Sequence, residues 1–231
     1  MKSEILSNYD TIIFDLDDTL YPEISYLIPA FKAISKEIEA EYTVNAAEVA
    51  SFLINTFEKE GRSMLFNKCF NHFLKSENEA ENERKNDEQV IARHEATEGV
   101  YFEDMPIAKY LHILRTVKIA EKIALFPYAY RLIPQLLAEK KQIFVLTNGN
   151  PKQQRNKIAH LDWQNLDAHI TVVFANEFAP KPSPSVFSDF LVPNFHLKTK
   201  KTLFIGDAET DAEFSQNVGF DFLHVDYLKS Y

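Results

Sequence analysis

The chain has 231 residues, is 45% hydrophobic with 19 Phe, and carries a formal net charge of −9, which gives ample material for a packed core and room for one large domain or a core domain with an insertion. The acidic balance, with no basic stripe interleaved with aromatic residues, excludes nucleic acid as a partner. The single cysteine, Cys69, excludes an intrachain disulfide and predicts a reducing compartment; Met1–Leu6 holds no apolar stretch of signal-peptide length, and no run approaches the roughly 20 apolar residues of a membrane span, so no membrane contact and a soluble cytoplasmic protein are expected.

Thr11-Ile12-Ile13-Phe14-Asp15-Leu16-Asp17-Asp18-Thr19-Leu20-Tyr21-Pro22 is the first structured stretch. Ile12, Ile13 and Phe14 are apolar without alternation, which predicts a fully buried strand over 11–16. Three carboxylates follow within four residues. Each like-charge contact at a few Å costs up to about 4 kcal/mol in a partly shielded site, so such a cluster needs a cation or else a solvated turn. Residues 23–125 read as helical throughout. Leu27, Ile28, Phe31, Ile34, Ile38 and Tyr42 fall at helical spacing; Asn45 to Glu48 resembles a capping box ahead of Val49, Phe52, Leu53 and Phe57, with Gly61 as the stop. Leu65, Phe66, Phe70 and Phe73 predict a third helix, and Ile107, Leu111, Leu114 and Val117 another; no strand is expected here. Residues 76–89 carry six acids and two bases and read as a solvated surface stretch.

From about residue 126 the pattern changes to apolar runs alternating with amphipathic segments. Strands are expected at 142–146, 170–174, 202–205 and 222–225, with helices at 128–140, 151–160, 183–192 and 209–217; Pro134 either starts the first of these helices or kinks it. The alternation predicts an α/β fold, a Rossmann-like parallel sheet with helices on both faces. The expected organisation is therefore a discontinuous core domain of 1–22 and 126–231, interrupted by an all-helical insertion of 23–125.

The ends of those strands carry the chemistry. Thr147-Asn148-Gly149-Asn150 offers a hydroxyl and backbone amides to an oxyanion, or is an ordinary strand-to-helix turn. Lys181, between Pro180 and Pro182, has a restricted backbone that suits a fixed cation, though a loop lysine is otherwise solvated. Gly206-Asp207-Ala208-Glu209-Thr210-Asp211 places two acids four apart after a buried strand. All of these leave the carboxyl ends of parallel strands, where open α/β sheets bind ligands. The five glycines (61, 99, 149, 206, 219) form neither GxGxxG nor GxxxxGK[ST], and GxSxG is absent.

The set DLDDT (15–19), LTNG (146–149), KPSP (181–184) and GDAETD (206–211), in that order, resembles the haloacid dehalogenase-like hydrolase superfamily across the whole core, and the helical insertion looks like that family's α-helical cap domain. FDLDDTLYP (14–22) is also similar to a pyrimidine 5′-nucleotidase subgroup. The resemblance implies a phosphatase that uses Mg²⁺ and a small phosphorylated metabolite, such as a nucleoside monophosphate or sugar phosphate. It implies Asp15 as nucleophile and Asp17 as general acid and base, with Thr147 and Lys181 on the phosphoryl oxygens and Asn148 near the substrate. The metal ligands would be Asp15, the backbone carbonyl of Asp17, and Asp207, while Asp211 would orient Lys181 or a metal-bound water, unless it is simply an acid at a helix start. An acid two residues after the nucleophile favours phosphoryl transfer over dehalogenation, since halide leaves unprotonated. A phosphomutase would carry the same motifs; a catalytically idle binding protein is the reading from another class. A signalling receiver uses similar groups, but at about half this length. Tyr26, Phe52, Phe57, Phe66, Phe70, Phe73, Tyr101 and Phe102 are candidates for a base-stacking platform or for plain helical core. Oligomeric state has no signature in the sequence.

Overall fold

The computed structural model describes residues 6–73 and 105–230. The acidic stretch 76–89 and two of the aromatic candidates, Tyr101 and Phe102, lie outside the described residues. The chain forms two compact units: residues up to Tyr26 and from Lys118 onward make one, and Leu27–Val117 the other, the chain passing between them within the helix Ile24–Glu41.

The first unit is built on a parallel sheet. Its strands are β1 (Thr11–Phe14), β3 (Gln142–Thr147), β5 (Thr171–Phe174), β6 (Thr202–Gly206) and β7 (Asp221–His224), in the order β5-β3-β1-β6-β7. β1 is central: Ile13 pairs with Phe144 on one side and Phe204 on the other. All four residues of β1 are buried, which explains its unalternating apolar sequence. Ile13, Phe144, Leu146, Val173, Phe204, Phe214 and Phe220 share one core cluster. Because β3 lies on one side of β1 and β6 on the other, the carboxyl end of β1 is a switch point where loops diverge and leave a crevice.

Two details differ from the sequence expectation. Ile123–Ala124 forms a two-residue strand, β2, paired in parallel with β4 (Leu161–Asp162), inside the stretch expected to be strand-free; two residues are too short to impose a periodicity. The segment expected as an α-helix at 183–192 is instead a π-helical turn, Phe187–Leu191, running into Val192–Phe195. Pro127, not Pro134, opens the helix Pro127–Ala138, and Pro134 lies inside it.

The second unit is helical among its described residues, with Ala46–Glu60, Leu65–Phe73 and Met105–Thr116 following the end of Ile24–Glu41. Asn45 caps Ala46–Glu60 by accepting from the amides of Ala47 and Glu48, and Gly61 ends it at φ 72°. Most of the aromatic candidates here pack against other aromatic rings. Phe66 is buried, Phe57 meets Phe31 edge-on at 6.2 Å, and Phe70 stacks on Tyr110 at 5.5 Å. Tyr26, in the first unit, is also buried. Among the described residues no helix is long and apolar enough to cross a membrane.

Candidate active site

Lys181 is the centre of the carboxylate cluster at the strand ends. Its side chain is buried, and Nζ donates to Asp15 Oδ1 at 2.6 Å, Asp211 Oδ1 at 2.5 Å and the Leu146 carbonyl at 3.1 Å. The loop that carries it is held by Asn148: Lys181 N donates to Asn148 Oδ1 (2.8 Å), and Asn148 Nδ2 donates back to the Lys181 carbonyl (3.0 Å). Asn148, expected near substrate, is thus engaged in fixing the lysine's backbone. Burial pushes the Asp15 carboxyl above the usual carboxylate range; the Lys181 ammonium pulls it back, and the negative charges of Asp211 and Asp17 push it up again. Burial alone would lower Lys181, but the two carboxylates hold it above the ordinary lysine range, and therefore charged.

Asp207 leaves β6 one residue beyond Gly206 and accepts from Thr19 Oγ1 at 3.0 Å. Its carboxyl is also raised, first by burial and then by Asp211 and Asp18, while the Thr19 hydrogen bond opposes the shift. Asp211 sits in the first turn of the helix Glu209–Val218, where its Oδ2 accepts from the Ala208 amide (3.2 Å). It approaches Gly206 so closely that a Cβ there would meet Oδ2 at 2.2 Å. One oxygen from each of Asp15, Asp207 and Asp211 lies within 4.8 Å of the others. Three clustered carboxylates, two of them pushed up by burial and mutual repulsion, are a hard-oxygen donor set that fits Mg²⁺. The second oxygens of Asp15 and Asp207 take no hydrogen bond from another described residue, whereas both oxygens of Asp211 are used, by Lys181 and Ala208.

Asp17 faces a different set of partners. Tyr21 Oη donates to its Oδ1 (2.7 Å), and Gln154 Nε2 (2.9 Å) and Lys157 Nζ (2.7 Å) both reach Oδ2. Gln154 also donates to Thr147 Oγ1 at 2.7 Å, tying the end of β3 to Asp17. Lys157 is fully buried and bridges on to Glu23 Oε1 at 2.5 Å. Asp18, at φ 52°, is the member of the DLDDT cluster that holds the backbone, since its Oδ1 accepts from the Glu23 amide (2.9 Å) at the entry to the helix Ile24–Glu41.

Gln154, Lys157 and Glu23 were not foreseen from the sequence. The clue was compositional: Pro151–His160 (PKQQRNKIAH) is almost devoid of apolar residues yet lies between two sheet strands, so its inward face had to be polar. Asn150 caps this helix by accepting from Lys152 N and Gln153 N, with Pro151 at its first position, and the resulting phase buries Gln153, Gln154 and Lys157.

Several solved structures share this architecture with the chain at low sequence identity. The HAD-family hydrolase YfnB of Bacillus subtilis, in a magnesium-bound form, superposes with a TM-score of 0.55 at 18% identity, covering 93% of this chain and 85% of that one. A predicted phosphoglycolate phosphatase of Haemophilus somnus gives 0.54 at 20% identity over 93% and 84%. CbbY of Rhodobacter sphaeroides, a D10N variant in complex with xylulose-(1,5)bisphosphate, gives 0.54 at 14% over 94% and 85%. A sequence search of curated proteins finds no match. Residues 9–219 match the family described as haloacid dehalogenase-like hydrolase, a span that takes in every strand end described above except that of β7; the chain belongs to that family.

Proposed function

We propose that this hydrolase cleaves the phosphate monoester of a small metabolite, with Mg²⁺ and through an aspartyl-phosphate on Asp15. The observation that carries the reading is the buried Lys181 ammonium held between Asp15 and Asp211, with Asp207 in the same cluster. A phosphate ester is an anion and repels an incoming carboxylate; a fixed ammonium beside Asp15 offsets that charge and can bind a phosphoryl oxygen. Asp15 then attacks phosphorus, and the ester oxygen departs as Asp17 gives it a proton. Asp17 next takes a proton from the water that hydrolyses the acyl phosphate. Thr147, at the end of β3, joins Lys181 in holding phosphoryl oxygens. The side chains of Asp15 and Asp207 and the Asp17 carbonyl would hold Mg²⁺, which when bound supplies the positive charge that lets two anions meet. Asp211, with both oxygens engaged, orients Lys181.

The helical unit Leu27–Val117 is read as the cap of this family. The magnesium of YfnB and the phosphatase description of the Haemophilus protein support the reading. A cytoplasmic setting belongs to it as well, supported by the single cysteine, Cys69, which leaves no intrachain disulfide possible.

The test is turnover of p-nitrophenyl phosphate. The wild-type protein is expected to release nitrophenolate with Mg²⁺, to stop on addition of EDTA, and to lose turnover in Asp15→Asn, a nearly isosteric change. Near-wild-type turnover in Asp15→Asn contradicts the assignment. A panel of phosphorylated metabolites then identifies the substrate.

A further inference from the structure

Two lysines are buried among the described residues, Lys181 and Lys157. The phosphatase reading uses the first and gives the second no role. Desolvating an ammonium is expensive, and apolar residues of similar volume usually stabilise a core as well or better. A buried lysine therefore needs another reason to be there.

Its contacts supply one. Lys157 Nζ joins Asp17 Oδ2 to Glu23 Oε1, and one turn earlier on the same helix Gln154 Nε2 reaches the same Asp17 oxygen. Tyr21 Oη takes the other oxygen. Three donors thus hold a single carboxylate from both sides. The network is closed at its far end, where the side chains of Lys157 and Glu23 are 0% and 5% exposed, and open at Asp17, which is 16% exposed. A polar network whose one accessible member is the residue assigned to proton transfer has the form of a support for that residue.

We propose that Lys157, backed by Glu23 and assisted by Gln154, is the positioning residue of Asp17, fixing the orientation of a carboxyl group that as the acid gives its proton to the leaving oxygen and as the carboxylate takes one back from the attacking water; the proposal rests on the phosphatase reading. Lys157 would not touch substrate. Its effect would scale with how much the reaction needs the proton: large when the leaving group is poor, small when it departs readily as an anion.

The experiment compares kcat and KM for phenyl phosphate and p-nitrophenyl phosphate, with Mg²⁺, in the wild-type protein and in Asp15→Asn, Asp17→Asn, Lys157→Met, Lys157→Arg and the Asp17→Asn/Lys157→Met double variant. Misplacing a catalytic group is worth about 10- to 100-fold, so Lys157→Met should lose that much more in kcat on phenyl phosphate than on p-nitrophenyl phosphate, with KM nearly unchanged. Lys157→Arg should recover most of the loss, and the double variant should be no worse than Asp17→Asn alone. Lys157→Met strands the Glu23 and Asp17 carboxylates; if circular dichroism finds it unfolded, Lys157→Met/Glu23→Gln is read in its place. Equal losses on both esters, or a double variant that falls by the product of the single losses, overturns the positioning role while leaving the phosphatase reading intact, provided Asp15→Asn is inactive. A wild-type protein that hydrolyses neither ester, or an active Asp15→Asn, overturns both.

Discussion

Lys181 binds two carboxylates that would otherwise repel each other in a buried place, Asp15 at 2.6 Å and Asp211 at 2.5 Å. Removing one member of such a cluster leaves uncompensated buried charge, at a cost of about 3–5 kcal/mol. Asp211 is where the arrangement is tightest. Its side chain is 1% exposed, its two oxygens are spoken for, and it lies against the bare Cα of Gly206. The glycine is therefore required for space, not for an unusual backbone angle. In Gly206→Ala a methyl would stand 2.2 Å from Asp211 Oδ2, so the carboxylate must move and release Lys181 or the Ala208 amide. We expect a loss of about 1–3 kcal/mol in stability from the overpacking, together with a drop in p-nitrophenyl phosphate turnover. Chemical denaturation and steady-state rates check this; a variant within about 0.5 kcal/mol of wild type and fully active would mean that Asp211 can relax without consequence.

Among the elements, the three inner strands were legible because they are buried on both faces. β1, β3 and β6 read as continuous apolar runs, and their structural bounds fall within a residue or two of those expected. The helix Pro151–His160 was legible in extent because Asn150 and Pro151 mark its start, but its inward face was not. Apolar periodicity finds the side of a helix that packs on oil, and this helix packs with Gln154 and Lys157 on carboxylates and a threonine. The same bias hid the π-helical turn at Phe187–Leu191, since a stretch rich in Phe and Leu looks alike at either helical pitch. Motif residues told which strand ends would meet, since Asp15, Lys181, Asp207 and Asp211 do come together. Their hydrogen-bond partners were out of reach. Asn148 clamping the Lys181 backbone joins residues 33 apart, and Tyr21 reaching Asp17 depends on the turn that Asp18 makes at positive φ.

For the whole molecule, the cluster is a local excess of negative charge in a chain already at −9. Burial and the neighbouring carboxylates raise both Asp15 and Asp207 in the folded protein relative to the unfolded chain. The folded state then binds more protons than the unfolded one. The penalty from these two groups is present in full above their folded pKa values and fades as pH falls through those values toward the ordinary carboxylate range. A cation that binds only the folded site removes the penalty another way. Mg²⁺ at a hundredfold excess over its dissociation constant should add about 2.7 kcal/mol, read as a rise in Tm. Asp207→Asn removes one like charge and keeps an oxygen to accept from Thr19, so the EDTA-treated variant should melt above EDTA-treated wild type and gain less from Mg²⁺. A variant that melts lower and still responds fully to Mg²⁺ would make Asp207 a structural residue and move the metal elsewhere.

Asp15 is expected to become covalently phosphorylated during turnover. Rapid acid quenching of the wild-type protein during turnover of p-nitrophenyl phosphate, followed by peptide mass spectrometry, reads it directly. The expected result is a phosphoryl group on Asp15, absent from Asp15→Asn and retained in Asp17→Asn. Turnover with no phosphate on Asp15 at any quench time, or phosphate on another residue, would contradict it.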